Sequence, residues 1–257
     1  MADAKRRRPI CGDDYAKLFM DPEAIAAFAP LLKDNTTNSV SAVRHRIIDD
    51  HIRATIAERG DISIVTIGAG FDSRPYRIKG GRWIEIEEEP ILAIKNERLP
   101  ISKCGNDLQR IKIDFSLESL RNVLTPFRSE QFCVFVFEGV FLYLQEKQIS
   151  ESLSAIRELF ADHNVICDLM RRYALERRGT KVKTTIENLG AMFQVVDNPF
   201  EPFTKNDYRP LHTWSIATKN VEYELPTWLH FMSRMVPKRV RNGYVVSLFE
   251  PQRVDKS

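Results

Sequence analysis

The sequence predicts an α/β protein built on a doubly wound parallel sheet, and three observations predict it. Apolar, β-branched runs alternate with helical stretches from residue 62 to residue 169, the pattern of a sheet covered on both faces. The first run ends in a glycine turn, IGAGFDSRPYR at residues 67 to 77. Polar residues then recur where successive strands end, which is where open α/β sheets place their ligands.

A helical region over residues 13 to 58 comes first. Its second helix sets Val40, Val43, Ile47 and Ile56 near one face, with Arg44 beside that face. The run Ile62 to Ile67 is apolar enough for a strand buried on both sides. Gly68 and Gly70 let the backbone bend tightly and approach a ligand, and Asp72 and Arg74 place opposite charges just past the strand. The next strand, RWIEIE at residues 82 to 87, ends in Glu87. That acid lies about twenty positions after the first glycine, the spacing at which dinucleotide folds set a carboxylate on a ribose diol. Nicotinamide cofactors use the same acid, and Ser73 stands where GxGxxG has its third glycine, so spacing alone leaves the cofactor open.

A helix over 91–99 leads to a strand over 108–113, whose end carries Asp114 and Phe115. An acid followed by a large apolar residue suits the amine and the face of an adenine. A helix over 116–123 and a strand over 131–138 follow. Glu138 and Gly139 leave an almost wholly apolar run, where a carboxylate must meet a cation or lie at the open mouth of the sheet. A helix over 146–161 and a strand over 163–169 complete the alternation, and then the pattern breaks. Residues 171 to 210 are basic, then mixed, then rich in proline and aromatics, and read as a mobile lid over the cofactor site. A helix near 207–217, a short strand VEYEL, a helix from Thr227 and a strand YVVSLF end the chain. No internal repeat or low-complexity linker interrupts it, so residues 1–257 read as one domain with an inserted lid.

The blocks VRHRIIDDHI (43 to 52), IGAGFDSRPYR (67 to 77), EIEEEPILAIKNERL (85 to 99), KIDF (112 to 115) and FEGVFLYL (137 to 144) occur in order. In that order the chain resembles the leucine carboxyl methyltransferase family, including its bacterial and polyketide O-methyltransferase branches, over roughly residues 13 to 170. The resemblance implies a class I S-adenosylmethionine-dependent methyltransferase with a Rossmann-like, mostly parallel seven-stranded sheet and an antiparallel last strand. It implies Arg44 on the methionyl carboxylate, Gly68 and Gly70 beside the methionyl portion, Glu87 on the ribose, and Asp114 and Phe115 at the adenine. Glu138 is implied by the FEGV block, and Asp72 joins this cofactor set from the glycine turn. The family usually carries aspartate where this chain has Glu87.

The implied chemistry is displacement of a sulfonium methyl by an oxygen nucleophile. A carboxylate acceptor is already ionised at neutral pH and needs no general base. A small-molecule carboxylic acid, in secondary metabolism, is the expected acceptor. Tyr143, on the turn after FEGV, is placed either to orient that acceptor or to pack its ring in the core. Arg171 and Tyr173 are the other candidate catalytic residues, with Arg172, Arg209, Tyr76 and Arg77 as further contacts to an anionic substrate. His45, His51, His163, His212 and His230 read as surface or capping residues. Two alternatives stay open: attack on the aminocarboxypropyl carbon, including cyclisation to an azetidine with release of 5′-methylthioadenosine, and a nucleotide-binding protein without catalysis.

Composition frames these readings. The 257 residues are 43% hydrophobic, and 38 basic against 35 acidic residues leave a net charge of +3, too balanced to indicate a nucleic-acid partner. The longest apolar run, Phe132 to Leu144, is interrupted by Glu138 and too short to span a bilayer, and the start MADAKRRRP lacks the apolar segment of a secretory signal. A cytoplasmic protein is expected, with neither nucleic acid nor membrane as partner, and the run PKRVR at 237–241 reads as a solvated face. The four cysteines show neither CxxC spacing nor a metal cluster, so four free thiols and no metal are expected.

Overall fold

The computed structural model of the chain describes residue 3 and residues 9–27, 29, 34–115, 117–177, 180–188 and 190–252. After a 3-10 turn at Tyr15–Phe19 come α1 (Pro22–Ala27) and the long α2 (Asn35–Arg59). Asp34 caps α2 by accepting the backbone N–H of Thr36 at 2.9 Å, and Gly60 at φ 77° ends it. The alternating part then runs β1 (Ser63–Ile67), α3 (Arg74–Arg77), β2 (Arg82–Glu87), α4 (Glu89–Arg98), β3 (Asp107–Lys112), α5 (Leu120–Leu124), β4 (Cys133–Phe137), α6 (Glu146–Leu159) and β5 (His163–Met170). The excursion holds α7 (Arg172–Arg177), α8 (Thr180–Asn188) and α9 (Glu201–Lys205). The chain closes with β6 (Tyr208–Ser215), α10 (Ile216–Glu224), a 3-10 helix Thr227–Met235, α11 (Lys238–Arg241) and β7 (Tyr244–Pro251).

The strands form one seven-stranded sheet in the order β3-β2-β1-β4-β5-β7-β6. β7 runs antiparallel to both neighbours, and the other described pairings are parallel. The period of two along each central strand sends alternate side chains to two separate cores. Val65, Phe135, Phe137 and Val165 face α6, which contributes Ile149, Leu153 and Ile156. Ile64, Val134, Val136 and Ile166 face α2, which contributes Val43, Ile47, Ile48 and Ile52. Burial on both faces is why these strands read as continuous apolar runs. No helix among the described residues is long and apolar enough to cross a membrane.

Two assignments change near the C-terminus. Residues 208–215 form strand β6, where the sequence suggested a helix near 207–217. β6 is the sheet's edge, its residues from Arg209 to Thr213 are exposed, and an edge tolerates Pro210, so no buried alternation marks it. The VEYEL segment, expected as a strand, is the end of α10 and the residue after it. Ser215 caps that helix by accepting the Thr218 N–H, and this local signal outweighs the accidental alternation of Val221, Tyr223 and Leu225. The second half of the excursion is stapled to the core. Gln194 N–H donates to the Leu142 carbonyl at 2.8 Å and Arg172 N–H to that of Val196 at 3.1 Å, while Phe203 on α9 stacks on Phe249 with ring centroids 3.8 Å apart.

Of the five histidines expected at the surface or at caps, four are partly or wholly buried and only His212 is exposed. His163 at the start of β5 is 1% exposed, with Nδ1 2.8 Å from the Phe160 carbonyl and Nε2 2.7 Å from the Tyr208 hydroxyl. Burial pushes its pKa down to about 4, and burial does the same to His51. His45 lies in an ion cluster described below. Between pH 6.5 and 4 the unfolded chain holds a proton on His163 that the folded chain does not. Stability is therefore full above that window and falls as the pH drops through it. The expected loss from His163 between pH 7.5 and pH 4.5 is about 2–3 kcal/mol. Urea denaturation at both pH values checks this, with His163→Gln showing a shallower decline than the parent; parallel declines would refute it.

Candidate functional site

The carboxyl ends of β1, β2 and β4 meet under the N-terminal segment. Asp13 accepts the Ser73 hydroxyl at 2.8 Å, Phe19 stacks on Phe71 at 4.4 Å, and Asp21 takes Arg98 at 2.7 Å. Inside this cover lies the glycine turn. Gly68 has φ 63°, and a Cβ there would sit 2.6 Å from a Val140 methyl, so only glycine fits. Gly70, at φ 47°, donates its N–H to Glu87 Oε2 at 2.6 Å, and the Glu88 N–H reaches Glu87 Oε1 at 2.8 Å. Two backbone donors thus fix a buried carboxylate at the tip of β2, facing the turn. The Glu87 carbonyl takes the Ile113 N–H at 3.1 Å, which brings the exposed Asp114 and Phe115 in line, one strand over.

Below the turn is a charge cluster. Arg74 is 1% exposed and spans three carboxylates, donating from Nε to Asp49 at 2.7 Å, from Nη1 to Asp72 at 2.8 Å and from Nη2 to Glu138 at 2.5 Å. Arg77 pairs with Asp49 at 2.6 Å. His45 sits among them, its Nδ1 3.2 Å from Glu138 and its Nε2 2.6 Å from Arg77 Nη2. Burial by itself would raise the Glu138 pKa, but Arg74, His45 and Arg44 outweigh it and hold the group well below the usual carboxylate range. Asp72 is likewise held ionised, Arg74 and His45 overcoming its burial. Asp72, a candidate for the cofactor set, is thus turned inward onto Arg74 instead of standing open at the glycine turn.

Arg44 continues the cluster toward the other half of the sheet. Its Nε donates to Glu138 at 3.0 Å, and its Nη1 to Asp168 at 3.2 Å and to the Tyr244 hydroxyl at 2.8 Å. Tyr244 in turn donates to Asp168 at 2.5 Å, whose other oxygen accepts the Gly139 N–H at 2.5 Å. Burial lowers the Arg44 pKa, yet Tyr244, Asp168 and Glu138 together raise it well above the ordinary value, so it is a permanent cation. Burial also raises the Tyr244 pKa, which makes that hydroxyl a fixed donor rather than a base.

Two cavities flank the first half of α2. The smaller, about 230 Å³, is bounded by Asp13, Asn38, Ser41, Arg44 and Glu138. The larger, about 1140 Å³, is lined by Tyr173, Ile216, Asn220, Tyr223, Arg239 and Tyr244 among others. β5 and β6 end at this edge of the sheet and the antiparallel β7 starts there, and Tyr244 at the start of β7 lines the larger cavity, while Glu138 lines the smaller. Arg44 lines the smaller cavity and Tyr244 the larger, and a hydrogen bond joins the two residues. Asn220 Oδ1, on the wall of the larger cavity, is buried without a hydrogen-bond partner.

The candidate acceptor residues do not converge on one point. Tyr143 is half-buried and stacks on Phe193 at 5.1 Å, and burial raises its pKa. Arg171 donates to the Asp197 carbonyl at 2.8 Å. Tyr173 donates to the Arg239 carbonyl at 3.0 Å and lines the larger cavity. Three of the further contacts point elsewhere: Arg209 pairs with Glu250 across the edge strands, Tyr76 donates to the Leu99 carbonyl, and Arg77 belongs to the ion cluster. Sequence reasoning passed over Asp168 and Tyr244. For Asp168 there was a signal, a lone acid in the apolar strand VICDLM, of the same kind that marked Glu138.

Comparison with known proteins gives the following. The profile of the leucine carboxyl methyltransferase family matches residues 1–157. A protein of Parafrankia sp. (strain EAN1pec), which carries the inferred name of an S-adenosyl-L-methionine-dependent methyltransferase, is 30% identical over 130 residues. That match covers 48% of this chain and 42% of the relative, so the chain spans less than half of that protein's length. Among solved structures, the magnesium protoporphyrin IX methyltransferase of Synechocystis PCC 6803, with bound S-adenosylhomocysteine, superposes with a TM-score of 0.53 at 11% identity, covering 93% of both chains. The pyocyanin biosynthetic protein PhzM superposes with a TM-score of 0.54 at 15% identity over 93% of this chain and 62% of its own. At these identities the two structures show a shared fold.

Proposed function

Because the chain belongs to the leucine carboxyl methyltransferase family, we propose that it binds S-adenosylmethionine across the ends of β1 to β4 and methylates an oxygen of a small-molecule carboxylic acid. The observation that carries this reading is the Glu87 carboxylate, fixed by the Gly70 and Glu88 N–H groups over a turn in which Gly68 has no room for a side chain. Each carboxylate oxygen keeps a second lone pair for a ribose hydroxyl. Asp114 and Phe115 lie at the adenine end and Arg44, with Glu138, at the methionyl end. Held by Gly70, Glu87 and Arg44, the cofactor would supply an electrophilic methyl on a sulfonium, which an acceptor oxygen would take while the carbon–sulfur electron pair stays on sulfur, leaving S-adenosylhomocysteine.

The protein's part is to orient and to exclude water. The larger cavity fits the acceptor: its tyrosines and aliphatic side chains remove water from the attacking oxygen, and Arg239 supplies a cation. Desolvation raises the reactivity of an anionic nucleophile. Tyr244, held by Asp168 and Arg44, fixes the side of the larger cavity that faces the methionyl end, where acceptor and methyl must meet. No step draws a proton from the acceptor, which agrees with a site whose tyrosines have raised pKa values.

Incubation of the purified chain with S-adenosylmethionine and a panel of carboxylic acids tests the reading. S-adenosylhomocysteine is expected only when an acceptor is present. Rapid release of 5′-methylthioadenosine without any acceptor would replace methyl transfer by attack on the aminocarboxypropyl carbon.

A further inference from the structure

From Leu225 to Phe249 the chain contains no aspartate or glutamate, yet it carries Arg234, Lys238, Arg239 and Arg241. This stretch includes the most exposed apolar residues of the C-terminal region: Trp228 is 74% exposed, Met235 72% and Phe231 59%. They lie on the 3-10 helix Thr227–Met235. Its period of three sets Trp228 and Phe231 along one edge and Met232 and Met235 along the next, with Ser233 buried on the inner side. Arg234 continues the aromatic edge, and α11 adds Lys238, Arg239 and Arg241 directly after it.

Several surface cations elsewhere meet acids. Arg121 pairs with Glu158, Lys205 with Glu146 and Glu201, and Arg209 with Glu250. Among the described residues none of the four cations of this stretch has such a pair, and Arg239 instead packs its guanidinium over the Tyr173 ring at 5.1 Å. An apolar edge of aromatic and methionine side chains, bordered by cations without counter-charges, is the chemistry of a face that seats in the headgroup layer of an anionic bilayer. A second copy fits this face poorly, since a two-fold contact would set these cations against their own kind. Read alone, PKRVR is a solvated run; beside Trp228 and Phe231 it is half of a composite surface.

We propose that residues 227–241 form a peripheral docking face for an anionic lipid surface. The segment rests on the surface and does not span it. Leu225, Arg239 and Val240 line the larger cavity, so the docking face continues into the wall of that chamber. An amphiphilic acceptor held in the lipid surface would reach the chamber without crossing bulk water. This goes beyond the proposed methyl transfer, and it is read out without turnover.

The test is sedimentation of the full chain with vesicles of equal parts phosphatidylglycerol and phosphatidylcholine, against vesicles of phosphatidylcholine alone. The chain is expected to sediment with the anionic vesicles, to be released by high salt, and to show a blue shift of tryptophan emission that Trp228→Ser abolishes, since Trp83 is buried and the half-buried Trp214 lies on β6, outside this face. The double variants Trp228→Ser/Phe231→Ser and Arg234→Gln/Lys238→Gln should each reduce partition on the order of tenfold while binding S-adenosylhomocysteine as the parent does. Partition no greater than onto phosphatidylcholine overturns the proposal, as does partition unchanged in both variants. It is equally overturned if the vesicles are ignored and Trp228→Ser instead disperses a dimer or releases an acidic protein partner. Vesicle binding in a chain that fails to bind S-adenosylhomocysteine would leave this face standing and remove the proposed cofactor site.

Discussion

Replacing Arg74 by methionine is expected to destabilise the fold by about 3–5 kcal/mol, the cost of removing one partner from a buried charge group. The side chain is buried and spans Asp49 on α2, Asp72 in the glycine turn and Glu138 after β4. Methionine fills similar volume, so the loss is electrostatic rather than a cavity. Arg74→Lys should recover only part of it, because a compact ammonium cannot reach three carboxylates held by a planar fork. The sign with pH is fixed by the carboxylates. Glu138, Asp72 and Asp49 have lowered pKa values in the folded state, so their contribution is complete above the unfolded value near 4 and is lost as the pH falls through the folded values. The gap between parent and Arg74→Met should therefore be widest near pH 7 and narrow in acid. Guanidinium denaturation at several pH values measures it; equal midpoints at neutral pH would mean that the cluster contributes nothing.

Glu87→Ala is expected to weaken S-adenosylhomocysteine binding by about 1–3 kcal/mol, roughly tenfold to a hundredfold. The substitution removes a buried acceptor at the proposed ribose position and frees the Gly70 and Glu88 N–H groups that the carboxylate holds. Glu87→Gln separates the two effects, keeping one side-chain oxygen for the turn while losing the charge. Titration calorimetry of parent and both variants gives the answer. Affinity unchanged in Glu87→Ala would take the ribose site away from β2.

The fold and the placing of the candidate site were legible because the candidate residues lie on strand ends that follow one another in sequence. The glycine turn, Glu87, Asp114, Phe115 and Glu138 each mark the exit of an apolar strand, and the sheet aligns those exits by its parallel register. The core was legible for the same reason, since strands buried on both faces leave uninterrupted apolar runs. The edge was not. β6 is exposed over most of its length and contains Pro210, so neither burial nor alternation betrays it, and the segment after it alternates by accident inside a capped helix. Long-range partners were equally hidden: a sequence shows that Arg74 is charged, but not that residues 49, 72 and 138 close around it. His45 and His163 look like surface residues until the fold folds them in. Tyr244 is an ordinary strand residue until Arg44 and Asp168 arrive beside it.

The Arg44 to Tyr244 bond joins residues 200 positions apart, and its strand is threaded between β5 and β6. During synthesis the arginine leaves the ribosome long before its partner. At ordinary translation rates that delay is roughly 10–40 s, during which α2 and the first five strands exist without the strand that completes the wall. The nascent chain therefore carries its glycine turn early and completes the lining of the larger cavity last. A nascent chain with β1 to β5 already made holds Glu87 and its turn, while Arg44 and Asp168 wait for the hydroxyl that bridges them.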